Sequence, residues 1–105
     1  MNKIDTARIK LQNAITATDT FVAADNTMSV ELMDIGHLRV FRNHLVAMLS
    51  SIEGQAISHV VPESGMGRTI VDHWPIPENS QADVELNAVV RKVSEADYAY
   101  YRAVK

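Results

Sequence analysis

Apolar residues fall at helical spacing over most of the chain. The most regular stretch is 29–53, where Ile35, Leu38, Phe41, Leu45, Met48 and Ile52 recur at steps of three and four. Such steps place side chains on one face of an α-helix. Val46 and Leu49 widen the stripe, which predicts more than one packing neighbour. Ser29 is a suitable N-cap, and Gly54 stands where a left-handed C-terminal residue is wanted. Gly36 interrupts this pattern. Either it lets another backbone approach, or the main helix begins near Asp34.

Residues 3–24 predict a first helix, with Asn2 as its cap and Asp5 completing the capping pattern. Ile4, Ala7, Leu11, Ala14, Thr18 and Phe21 form a seam with several small residues, suited to close helix approach. The threonine-rich second half is a poorer helix former. A strand there would put Asp19 on its apolar face, so helix is the better reading. The short polar link at Asp25, Asn26 and Thr27 predicts an antiparallel helical hairpin.

Residues 80–104 predict a long C-terminal helix. Ala82, Leu86, Val89, Val93, Ala96, Tyr100 and Ala103 alternate steps of four and three, behind a start at Ser80 and Asp83. Acids at its beginning and Arg102 and Lys105 at its end suit the helix dipole.

The segment 55–79 lacks this regularity. Two β-prone runs, AISHVV at 56–61 and TIVDHW at 69–74, flank the turn residues of PESGMGR at 62–68. They predict a short β-hairpin, or an irregular segment, at about 56–76. Pro75 and Pro77 end it. The expected fold is thus a mainly α single domain over 1–105: a helical hairpin and a long third helix, three-helix bundle-like.

Composition narrows the function classes. The hydrophobic fraction is 47% over 105 residues, enough for one core. A net charge of −3 without a basic run argues against nucleic-acid binding. No apolar run is long enough to cross a membrane, and the polar start does not resemble a signal peptide. With no cysteine, disulfides and thiolate metal sites are ruled out, and a cytoplasmic location is expected.

Candidate chemistry is sparse. Ser64, Gly65, Gly67, Arg68 and Thr69 offer glycine freedom beside an arginine, the ingredients of an anion nest, but without a phosphate-binding loop's lysine or spacing. A flexible turn is the plainer reading. Asp34 and His37 share a helix face, with His44 two turns further on. His59 and His73 would meet across the proposed hairpin, near Glu63. No matching ligand motif stands on another helix, so the four histidines read as surface or edge imidazoles, with no metal ligand and no cofactor assigned. Trp74 is a loop anchor or an interface contact. Tyr98 and Tyr101, with Arg102 four residues from Tyr98, suggest a recognition surface or, equally, a half-buried edge whose hydroxyls reach water. No nucleophile elbow occurs.

The leading expectation is a non-enzymatic interaction protein: a small regulator, adaptor or inhibitor of a type common in phages and mobile elements. It would bind a protein partner and form a homo-oligomer, a dimer first, because its apolar helix faces exceed what one small domain covers. The alternative is an oligomeric binder of a phosphate-bearing small molecule or nucleotide at 64–69. A metal-assisted hydrolase ranks third.

Overall fold

A computed structural model describes residues 2–24, 32–53 and 60–104. Four helices follow one another: α1 (Lys3–Ala23), α2 (Leu32–Ile52), α3 (Met66–His73) and α4 (Gln81–Val104). The long helices α1, α2 and α4 pack as a bundle, and the short α3 packs against α4. The molecule measures 43 × 24 × 21 Å, and α4, the longest helix at 24 residues, spans about 36 Å of the long dimension at 1.5 Å per residue. Ser29, Gly54, His59 and the link Asp25–Thr27 lie outside the described residues.

The α1 seam is buried as its spacing requires, at Ala7, Leu11, Ala14, Thr18 and Phe21. The Asn2 side chain accepts the Asp5 amide at 2.8 Å, which satisfies one of the free donors of the first turn. Thr18 is tolerated in the buried seam because its hydroxyl donates back to the Ala14 carbonyl at 2.8 Å. Its polar atom therefore enters the core with a partner.

On α2, Leu38, Phe41, Leu45, Met48 and Ile52 are buried, and Ile35 and Leu49 pack at the edge of the core. Val46 is exposed. The helix runs unbroken through Gly36, and among the described residues no atom lies within 4 Å of a Cβ built there. Within the described residues, neither a close backbone approach nor a later helix start explains that glycine. Arg42 ties α2 to α1 through a two-pronged contact with Asp19. Arg8 reaches the Ile52 carbonyl at the end of α2 at 3.5 Å.

The expected β-hairpin is not formed. Among the described residues there is no strand, and the run TIVDHW lies in and just beyond α3. Met66 and Ile70, four apart, are buried on one face of α3, and Trp74 follows them inward. Val71 faces out and is 78% exposed. A strand would instead have put Ile70 and Asp72 on a common face. The helical face won because it buries three large side chains without a charge. Of the other run, residues 56–59 lie outside the described residues, while Val60 and Val61 are irregular.

Two buried side chains hold the chain that leads into and out of α3. Tyr100 is fully buried in α4. The Val61 amide donates to its hydroxyl at 3.0 Å, its oxygen lies 2.6 Å from Ser51 Oγ, and Ser51 donates to the Met48 carbonyl at 3.0 Å. With the serine proton so placed, Tyr100 donates to Ser51, and the chain of bonds is continuous. Asn87 accepts from the Ile76 amide at 3.0 Å and donates to the Ile76 carbonyl at 2.9 Å. This side chain fixes the segment between α3 and α4. At the start of α4, Ser80 accepts the Asp83 amide at 3.2 Å, and Asp83 accepts from the Asn79 amide at 2.8 Å.

Candidate functional site

The anion-nest residues are not gathered into a cradle. Gly65, at φ 83°, stands at the N-terminal boundary of α3, and Gly67, Arg68 and Thr69 are within the helix. The left-handed φ is one that glycine adopts without steric cost. Thr69 donates its hydroxyl to the Gly65 carbonyl at 3.1 Å. Arg68 is 85% exposed and pairs with Asp72 at 3.5 Å, away from the turn. A Cβ on Gly67 would lie 3.3 Å from an Asp97 carboxylate oxygen. That carboxylate sits where a phosphate would need positive potential. Ser64 and Thr69 do border a cavity of about 150 Å³ with His37, Phe41 and His44.

The aromatic candidates separate into two environments. Trp74 is buried, its ring edge-on to His37, His73 and Phe41. It is a core anchor. Tyr101 is turned inward and only 9% exposed, and its hydroxyl donates to the Val61 carbonyl at 2.8 Å. Tyr101 thus stands nearer the buried-edge reading than the surface one: three helix positions from Tyr98, it lies on the side facing Val61. Burial, followed by the nearby Asp97, Tyr100 and Glu63, pushes its hydroxyl up to about 12. His44 lies 3.4 Å from the Tyr101 oxygen, a long contact. Desolvation holds its imidazole below the usual histidine range.

Tyr98 stays at the surface, 65% exposed. Arg102 donates to its hydroxyl at 3.0 Å, and the guanidinium carbon lies 5.8 Å from the ring centroid. The pair borders a groove between α1 and α4. Two contiguous hollows of about 820 and 370 Å³ form it, sharing Lys10 and Glu95. Ala17, Phe21, Val89 and Ala99 supply its apolar surface. Among the described residues, Lys3, Lys10, Lys92 and Arg102 outnumber Glu85 and Glu95 along its sides. On a chain of net charge −3, this groove is locally basic.

Between α2 and the end of α3, Asp34, His37 and His73 converge. Each offers one donor atom, and the three atoms lie within 4.8 Å of one another. They are the described residues grouped closely enough to hold a metal ion. The i, i+3 relation of Asp34 and His37 is visible in the sequence, but His73 arrives from α3, 39 positions beyond Asp34. No spacing rule links residues so far apart.

Comparison with protein-family models, with curated proteins and with solved structures finds no match to this chain. Among the described residues no helix is long and apolar enough to cross a membrane.

Proposed function

We propose that this chain is a cytoplasmic interaction protein that works by binding rather than by catalysis, and that the α1–α4 groove is its docking surface. The occupant we assign is an acidic amphipathic helix of a protein partner. The observation that carries the reading is the groove's charge: among the described residues, four basic side chains against two acidic ones, over a floor of small and apolar residues. A helix laid in such a groove buries its apolar face and pairs its acidic flank with the rim. Tyr98 and Arg102 stand at one end as a preordered aromatic and cation, the residue types that dominate interface energetics. Arg102 limits the ring's freedom before any partner arrives, which lowers the entropy lost on binding.

The test is affinity capture from source-cell lysate with quantitative mass spectrometry, using the intact chain and a Lys10→Glu/Arg102→Glu variant. The expected result is an acidic protein enriched by the wild type and lost with the variant, followed by direct binding of its acidic helical segment to purified wild type. Equal capture by both forms refutes the groove. Both chains are also sized by light scattering. A wild-type dimer that the variant abolishes would show that a second copy of this chain fills the groove, against the proposed partner.

A further inference from the structure

We propose that Asp34, His37 and His73 form a binding site for one divalent first-row transition-metal ion of the zinc class, clipping α3 to α2. This site is separate from the α1–α4 groove and does not depend on its role.

The geometry is close to that of a ligand set. Asp34 Oδ1 and His73 Nε2 lie 3.1 Å apart. Two donors each about 2.0–2.2 Å from a common zinc ion are about 2.8–3.6 Å apart at cis-octahedral to tetrahedral angles. That pair therefore already has the separation of two ligands on one ion. The third donor, from His37, is within 4.8 Å of both. It needs to close by at most about 1.7 Å to meet the same edge length, within the reach of a small side-chain rotation.

The environment favours an ion over a solvated cluster. Asp34 is 5% exposed, and a carboxylate so buried demands a positive partner. His73 Nε2 is the ring nitrogen within hydrogen-bond distance of it. The pair does not account for His37, whose Nδ1 is buried with no hydrogen-bond partner among the described residues, as is Trp74 Nε1 beside it. Buried polar atoms are almost always satisfied in folded proteins, and an imidazole nitrogen with a free lone pair is a natural metal ligand.

The walls are aromatic. His37 stacks on Phe41 with centroids 6.0 Å apart, and His73 meets Trp74 edge-on at 4.5 Å. An apolar wall keeps the rings in place and strengthens charge interactions inside. Two imidazoles and one carboxylate suit zinc, cobalt, nickel or iron(II) better than calcium or magnesium, which prefer all-oxygen sets. Three protein ligands leave coordination positions open to water or a ligand atom. His37 also borders the 150 Å³ cavity of Ser64, Thr69 and His44.

Trp74 is the chain's only tryptophan and makes direct ring contact with two of the three proposed ligands. It is therefore a built-in reporter. Tag-free protein, stripped with chelator, is titrated with Co²⁺ while Trp74 fluorescence and visible absorption are followed. The expected result is quenching that saturates at one ion per chain, appearance of cobalt d–d bands, and competition by Zn²⁺. Asp34→Asn, His37→Gln and His73→Gln should each weaken binding at least about tenfold, and His44→Gln should keep wild-type affinity. Circular dichroism checks that each variant folds. Absence of saturable binding by the wild type overturns the proposal without recourse to any variant. So does unchanged affinity in folded Asp34→Asn, His37→Gln or His73→Gln. A loss in His44→Gln as large as that in His73→Gln also overturns it, because it places the ion elsewhere.

Discussion

Tyr100→Phe removes one oxygen atom from the core and leaves the ring that fills it. In the native fold that oxygen accepts the Val61 amide at 3.0 Å and contacts Ser51 Oγ at 2.6 Å. Without it, the Val61 N–H has lost its partner in a buried setting, and Ser51 retains only its bond to the Met48 carbonyl. A buried donor left unpaired costs about 1–3 kcal/mol. Near 100 residues, each kcal/mol lowers Tm by about 4 °C or slightly more, so a fall of about 4–12 °C is expected. Urea denaturation should show a lower midpoint with an unchanged slope, since the surface exposed on unfolding is the same. The Ser51→Ala variant supplies the second arm of a double-mutant cycle. The losses in the two single variants should exceed that in the double variant when summed, because both break one chain of bonds. A loss under about 0.5 kcal/mol for Tyr100→Phe, or strict additivity in the cycle, refutes the network as a source of stability.

Gly36→Ala should stabilise the protein by about 0.5–1 kcal/mol, since it lies inside α2, past its first turn, with open space at its Cβ among the described residues; a lower urea midpoint would show that the site has a hidden requirement for glycine. For His44, burial lowers the folded pKa below the usual value of 6.5. The unfolded chain therefore takes up a proton first as pH falls, so this residue's contribution is complete above about 6.5 and is lost as pH drops toward the folded value. Its imidazole resonances, followed by NMR, should titrate below those of an unfolded peptide, and a midpoint at or above 6.5 would contradict the desolvation argument.

The three long helices were legible because their evidence is local. Leu11, Leu45 and Val93 each belong to a run of three- and four-residue steps, and a face that long can be buried in only one way. The caps at Asn2 and Ser80 were legible for the same reason, since a cap acts over three residues. The stretch 66–73 misled because Thr69, Ile70 and Val71 are consecutive β-branched residues with strong local preference for strand. Eight residues show too few repeats to separate the two periods. Contact with α4 and burial of Met66, Ile70 and Trp74 decided for helix.

Convergence between elements belongs to the tertiary structure alone. The sequence placed Tyr98 and Tyr101 at one helical step of three, yet only packing shows that Tyr101 turns to Val61 while Tyr98 stays beside the groove. Asp34 and His37 were neighbours by period, and nothing in the chain announced His73 as their third member. Periodicity fixes which side chains share a face of one helix. Which faces meet depends on how whole helices bury their apolar stripes, and that sum over distant residues brings Asp34 within 3.1 Å of His73.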